Sequence, residues 1–310
     1  MKRFLKKLFL FILPLLLGGL AMELVLRNMP NDYRNKRKYL DAHAESVETL
    51  ILGSSHAQYG LNPAYFSSRA FNAAHVSQTL DLDLDIIEKY ADRWSSLKTV
   101  VLPISYFTLF ERLSEGPESW RIKNYTLYYG IHSSRSPIDY TEILSNRLSV
   151  NCERIVSYYG AHQPVVVCDS LGWDTLHTAV SPGDLVAAGK VSAQRHTVQD
   201  MHSKKNRELL ADNLQALDRM AQWCADRNVR LILFTPPAYA SYREQLVPEQ
   251  LRITVQTAAR LASERPYISY HDFMFDSAFS ESDFYDGDHL LASGAAKLSR
   301  MIDALCRAVP

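Results

Sequence analysis

From Thr49 onward, short apolar runs alternate with longer stretches whose apolar positions recur every three or four residues. The runs Thr49-Leu50-Ile51-Leu52, Thr99-Val100-Val101-Leu102, Val229-Arg230-Leu231-Ile232-Leu233-Phe234 and Tyr267-Ile268-Ser269-Tyr270 are of strand length and rich in branched side chains, and a further strand is predicted around Arg69 to Asn72. Between them the spacing predicts a helix over 77–95 with Leu80, Leu84 and Ile87 on one face, and a second over 204–226. A third begins near Pro248 and carries Leu251, Val255 and Leu261, and a last covers 292–306. Strands joined by helices of this length imply crossover connections and parallel pairing, with helices on both faces. The expected fold is α/β, a doubly wound, mainly parallel sheet.

Two regions depart from this rhythm. The interval from Tyr106 to Asp200 is too long for a structureless loop in a compact domain, so it must hold helices or a subdomain of its own. It is rich in aromatics, among them Trp120, Tyr125, Tyr128, Tyr129, Tyr140, Tyr158, Tyr159 and Trp173. Such rings can stack on sugar faces over a site, and more often pack a small core. At the other departure, Lys2, Arg3, Lys6 and Lys7 precede an uncharged stretch from Leu8 to Met22, with Leu24-Val25-Leu26 beyond Glu23. This reads as a membrane-directed segment with its basic end in the cytoplasm and the body of the chain outside. The uncharged part is shorter than the ~20 residues that span a bilayer. A cleaved signal peptide, with Gly19-Leu20-Ala21 as its cleavage site, is the rival reading. An uncleaved anchor is favoured because the apolar pattern resumes after that site and runs to Arg27. The expected organisation is a cytoplasmic tail and anchor over 1–27, a polar stalk over 28–47, and a catalytic-type domain over 48–310 with an insertion at about 106–200.

The chain has 310 residues, 47% of them hydrophobic, with 34 acidic and 34 basic residues, enough to bury an ordinary core. A formal net charge of zero and the lack of a basic stripe exclude a nucleic-acid footprint. Of the four cysteines, Cys224 and Cys306 fall on apolar helix faces. Cys152 and Cys168 form the one pair worth testing as a disulfide, and no pair has metal-ligand spacing.

Chemistry concentrates at two places. Gly53-Ser54-Ser55-His56 directly follows the first predicted strand, and Asp286-Gly287-Asp288-His289 precedes the last helix. In an open parallel sheet ligands bind beyond the carboxyl ends of the strands, where the first of these falls. A hydroxyl on a strand-to-helix turn, with an acid and an imidazole on one distant loop, is what nucleophilic acyl chemistry requires. Serines before a helix commonly do no more than cap it, and Asp-Gly-Asp is a common solvated turn. A cation site would need further ligands that no spacing supplies. Asp286 suits the triad acid, with Asp288 the alternative.

These residues resemble the blocks of the SGNH, or GDSL-like, hydrolase superfamily. The likeness spans roughly 48–105 and 204–310, and with the anchor is most similar to membrane-tethered, extracytoplasmic members such as relatives of the D-alanyl transfer protein and the alginate O-acetylation proteins. The resemblance implies a flavodoxin-like, three-layer fold with Ser55 as nucleophile, His289 as base, Asp286 as its orienting acid, and no metal or cofactor. The family's second block supplies a glycine, whereas Phe71-Asn72-Ala73-Ala74-His75-Val76-Ser77-Gln78 contains none. The third supplies an asparagine that Pro103-Ile104-Ser105-Tyr106 lacks. Ser55, Asn72 and Ser77 stand as oxyanion-hole candidates, and His56 and Tyr106 as substrate contacts. The implied function is a serine esterase or O-acyltransferase of the bacterial cytoplasmic membrane, its domain extracytoplasmic. Its expected partners are a cell-envelope glycan or acyl ester, the lipid bilayer, and a membrane-bound acyltransferase. The alternative is a degenerate member that binds a glycan or such a partner.

Overall fold

The computed structural model describes residues 1–132, 134, 136–178 and 183–308. In chain order its main elements are α1 (Lys2–Asn28), α2 (Asp32–His43), β1 (Thr49–Ile51), α3 (Ser55–Gly60), β2 (Ala70–Asn72), α4 (Leu80–Lys89), β3 (Thr99–Pro103) and the single turn α5 (Ile122–Asn124). There follow α6 (Leu148–Ile155), α7 (Leu185–His196), α8 (Lys204–Asp226), β4 (Arg230–Thr235), α9 (Ala240–Arg243), α10 (Pro248–Glu264), β5 (Ile268–Asp272) and α11 (Ala292–Arg307). They divide into two compact units, one of Met1–Arg37 with Pro117–Val166, the other of Lys38–Gly116 with Val167–Pro310.

The second unit holds the sheet, whose five strands pair in the order β2-β1-β3-β4-β5. Every pairing is parallel. The chain moves outward from β1 to β2, then crosses back to lay β3 on the other side of β1, so the topological switch point lies between β1 and β3. Successive strand residues point to opposite faces. Ile51, Val101, Ile232 and Phe234 belong to a core with Ala57 and Leu61 of the α3 side and Leu298 and Ile302 of α11. Leu50, Val100, Leu102, Leu231 and Leu233, on the alternate parity, are also fully buried. Burial on both faces is why these strands read as unbroken apolar runs, and the fold is the doubly wound α/β type the pattern predicts.

Helix starts follow local chemistry. Asp184 caps α7 by accepting from the N–H groups of Val186 and Ala187, Ser203 caps α8 through Asn206, and Pro248 opens α10 where its missing N–H costs nothing. The helix expected over 77–95 is shorter, Leu80–Lys89, because Tyr90 leaves helical dihedrals at φ −109°, ψ 20°.

The first unit contains α1, a helix long and apolar enough to cross a membrane. Its other half is built from Pro117–Val166. There the Glu142 carboxylate is fully buried among the Lys123 ammonium, the Tyr128 hydroxyl and Arg154 Nη1, the last at 2.7 Å. The compact units divide elsewhere than the sequence suggests. Residues 28–47, expected as a stalk, carry α2, with Tyr33, Lys36, Leu40 and Ala44 buried. The expected insertion at 106–200 is shared out, 117–166 going to the first unit and both flanks to the second. All four cysteines are free thiols, Cys152 and Cys168 included.

Candidate active site

After β1 the backbone turns through Gly53 at φ +111° into α3, whose first residue is Ser55. A Cβ at position 53 would stand 2.5 Å from Pro103 Cγ at the end of β3, so the turn admits only glycine. The Gly53 N–H donates to Asp83 Oδ1 at 2.8 Å, and Gln78 Nε2 donates to the same oxygen at 2.6 Å. Burial pushes the Asp83 carboxyl up to about 7 although both donors pull it down. A folded value above the unfolded one means the native state holds this proton more tightly. Its stabilising contribution is therefore full below the ordinary carboxylate range near pH 3.8 and is lost as pH rises through about 7. Urea unfolding of Asp83→Asn alongside the parent at pH 4 to 7 is expected to show the parent losing stability relative to the variant with rising pH. A pH-independent difference would contradict this.

The two serines of the turn have different surroundings. Ser54 is buried and its hydroxyl has no protein partner, whereas Ser55 is half-buried and its Oγ lies 2.9 Å from His289 Nε2. His289 arrives from the loop between β5 and α11, pinned where Phe284 and Leu290 bridge. Within it Asp286 Oδ1 accepts from the N–H groups of Asp288 at 3.0 Å and His289 at 2.8 Å, a side-chain turn that fixes the loop. The same carboxylate lies 2.9 and 3.0 Å from His289 Nδ1. A carboxylate only accepts, so Nδ1–H donates to Asp286, which leaves Nε2 to accept the Ser55 proton. The loop lies backbone to backbone on α7, since a Cβ on Gly287 would stand 2.1 Å from Gly189 Cα.

Beneath this array lies a second one. Asp288, wholly buried, places Oδ2 3.1 Å from His56 Nε2, and His56 Nδ1 lies 2.7 Å from Ser105 Oγ. By the same logic His56 Nε2–H donates to Asp288 and Nδ1 accepts from Ser105, which is 1% exposed. Asp288 also sits 3.6 Å from His196 Nδ1, 3.8 Å from Arg195 Nη2 and 3.8 Å from His289 Nδ1. Burial raises the Asp288 carboxyl, but the His289 charge and the His56 hydrogen bond hold it well below the usual range. Burial lowers His289, yet the Asp288 charge and the hydrogen bond to Asp286 keep it above an ordinary histidine. Burial brings His196 down to about 3 and lowers His56. The His177 ring packs between Tyr59 and Tyr285, at centroid distances of 3.9 and 4.0 Å, and lies 6.0 Å from that of His289. Burial brings it down to about 4, so this rim is neutral.

Ser55, Asp286 and His289 are thus brought into one hydrogen-bonded row. The other candidates are placed differently. Asn72 is fully buried and spends both side-chain N–H groups on the carbonyls of Ala57 and Leu61, each at 2.8 Å, so it has none left for an oxyanion. The backbone N–H groups of Asn72, Ala73, Ala74 and His75 are also spent, on Leu171 O, Ile51 O, Asn72 Oδ1 and Gly53 O. Ser77 follows on the same loop, half-buried, at φ +59°. Ser55 opens α3, where the first N–H groups of a helix have no partner within it. His56 is not placed as a substrate contact, because both its ring nitrogens are engaged. Nor is Tyr106: its hydroxyl accepts from the Val247 N–H and pairs with Thr197, 1% exposed. Among the described residues one group of three or more side chains is close enough to hold a metal ion, His56, Asp288 and His289. The four ring nitrogens already have the partners given above. Sequence reasoning missed His177, Arg195 and His196, for which no periodicity or motif gave a signal, and it placed Ser105 in the third block without giving it a role.

No protein-family model matches this sequence, and no curated protein does. Among solved structures, a Streptococcus pneumonia chain provisionally described as a platelet activating factor is similar at a TM-score of 0.44 and 12% identity, over 96% of this chain and 98% of that one. At that level of likeness no chemistry transfers.

Proposed function

We propose that this protein is an extracytoplasmic serine esterase or O-acyltransferase of the SGNH type. Ser55 Oγ attacks an acyl ester carbon while His289 Nε2 takes the serine proton. The tetrahedral intermediate collapses, and the imidazolium returns that proton to the departing alcohol. Water or a sugar hydroxyl then gives its proton to His289 and attacks the Ser55 acyl-enzyme; as the bond to Ser55 Oγ breaks, the imidazolium returns that proton to the serine oxygen, releasing an acid or a new ester and restoring the hydroxyl. Asp286 keeps the imidazole in the required tautomer and offsets its charge. The single observation supporting this reading most strongly is the 2.9 Å contact between Ser55 Oγ and His289 Nε2, the hydroxyl being the half-buried member of the serine pair. A cell-envelope glycan as substrate rests on the family resemblance alone.

The spent Asn72 donors favour a second reading, a degenerate member that binds a glycan or an acyltransferase partner without turnover. Incubation of the full chain with a chromogenic short-chain acyl ester separates the two. Alcohol release lost in Ser55→Ala supports the enzyme, while a folded protein without release supports the binder. Added oligosaccharide that captures the acyl group in place of water identifies a transferase.

The acid limb of kcat/KM is expected to lie above the ~6.5 of an ordinary histidine, because His289 must be neutral to act as base and the neighbouring carboxylates stabilise its protonated form. Asp288→Asn removes one of those charges, so the limb is expected to move to lower pH. An unmoved limb in the folded variant would show that Asp288 does not act on His289.

A further inference from the structure

The geometry points to a second membrane contact in the first unit: α6, the loop before it and the turn Val156–Gly160 after it lie in the outer-leaflet interface, with Leu144, Leu148, Cys152, Val156 and Tyr159 against lipid. This inference rests on α1 spanning the bilayer. The 27 residues of α1 extend about 40 Å, more than the ~30 Å of hydrocarbon they would cross. With Lys2, Arg3, Lys6 and Lys7 on the cytoplasmic side, Glu23 falls near the outer edge of that layer. A carboxylate there needs partners, and it has them. Glu23 accepts from the N–H groups of Glu142 at 2.9 Å and Ile143 at 2.9 Å, and from Arg27 Nε at 2.5 Å. Tyr140 O accepts from Arg27 Nη2 at 2.6 Å, and the Tyr159 hydroxyl donates to Val25 O at 3.3 Å.

The segment 140–159 is therefore hydrogen-bonded to the last turns of α1, and it reaches deeper. A Cβ on Gly19 would lie 3.7 Å from Ile143 Cδ1, so the end of the Ile143 side chain reaches a level of α1 one turn, about 6 Å, inside that of Glu23. The residues beside it are apolar and uncovered within the unit. Leu144 is 63% exposed, Leu148 68%, Val156 66% and Tyr159 47%, and Cys152 between them is also exposed. Leu148 and Cys152, four apart, share one face of α6, with Ser149 and Glu153 about 100° further round, and Leu144 in the loop before α6 and Val156 and Tyr159 in the wider turn after it continue the apolar row. An apolar stripe, a tyrosine at its outer end and polar neighbours to one side are the composition of an interfacial helix.

Cys152 lies within this stripe and provides the probe. The full chain, carrying Cys168→Ser and Cys306→Ser so that Cys152 is its one accessible thiol, would be labelled there with an environment-sensitive fluorophore, with the further Cys152→Ser change as the background control, and reconstituted into vesicles of phosphatidylethanolamine and phosphatidylglycerol containing spin-labelled lipid. Two companion labels are placed in the Cys152→Ser background, at Leu16→Cys within α1 and at Lys204→Cys, an exposed position at the start of α8. The expected result is loss of emission at 152 with a quencher near the headgroup and at 16 with a mid-chain quencher, with none at 204. Emission at 152 as insensitive as at 204, while 16 is quenched, would overturn the inference and leave the anchor standing. No quenching at 16 would overturn the anchor and this contact with it. Purified vesicles hold no other protein, so quenching at 152 reads lipid and not a membrane-protein partner.

Discussion

Ser55→Ala is expected to lower kcat for acyl-ester cleavage by about 10⁶-fold, with the fold and the melting temperature unchanged. The size follows from what one oxygen does. It forms the covalent intermediate, so removing it leaves only whatever acceleration binding and fixed dipoles give to attack by water. His289→Ala is expected to cost about as much, because an unassisted serine hydroxyl is a weak nucleophile. The double variant is then expected to be no slower than either single one, since residues acting as a unit are not additive. Burst and steady-state assays on the three variants check this. Additive losses, or a Ser55→Ala enzyme within tenfold of the parent, would remove Ser55 from the chemistry. The half-buried hydroxyl makes that comparison clean, as its loss leaves no large cavity.

Gly53→Ala has the largest expected effect on stability. The new methyl would stand 2.5 and 2.6 Å from Pro103 Cγ and Cδ, and the residue would have to hold φ +111°, which a non-glycine residue does at a cost of about 1–3 kcal/mol before any clash. Pro103 belongs to β3 and cannot retreat without disturbing its pairing with Phe234 of β4. A loss above roughly 4 kcal/mol, or failure to accumulate as folded protein, is the expected outcome of urea denaturation. A variant within about 1 kcal/mol of the parent would show that the turn between β1 and α3 tolerates another conformation, and that Ser55 is less rigidly aimed than its hydrogen bond implies.

What could be read from the sequence follows what each residue does. The strands were legible because burial on both faces leaves few positions for polar residues, and Leu50, Val100 and Leu231 have no exposed surface. The Asp286-x-x-His289 block was legible because its geometry is local: one carboxylate turns the loop and also meets the ring. Asn72 misled because sequence shows that an amide is present but not where its N–H groups go, and here the backbone takes both. Residues 28–47 looked unpatterned because the buried face of Tyr33, Lys36, Leu40 and Ala44 includes a lysine, which a hydrophobic periodicity skips. His56 was visible and its role was not. A buried imidazole held between Ser105 and Asp288 depends on two partners far away in the chain. Arg195 and His196 come from α7, inside the interval where no repeating pattern announced an element.

The most direct test is to treat the folded full-length protein with an organophosphonate that reacts with activated serines and to locate the adduct by peptide mass spectrometry. Modification confined to Ser55, and absent from Ser55→Ala and His289→Ala, is the result expected of a hydroxyl activated by the imidazole 2.9 Å away. No adduct on the folded chain, or one on another serine with Ser55 untouched, would contradict the acyl-enzyme chemistry on which the proposed function stands.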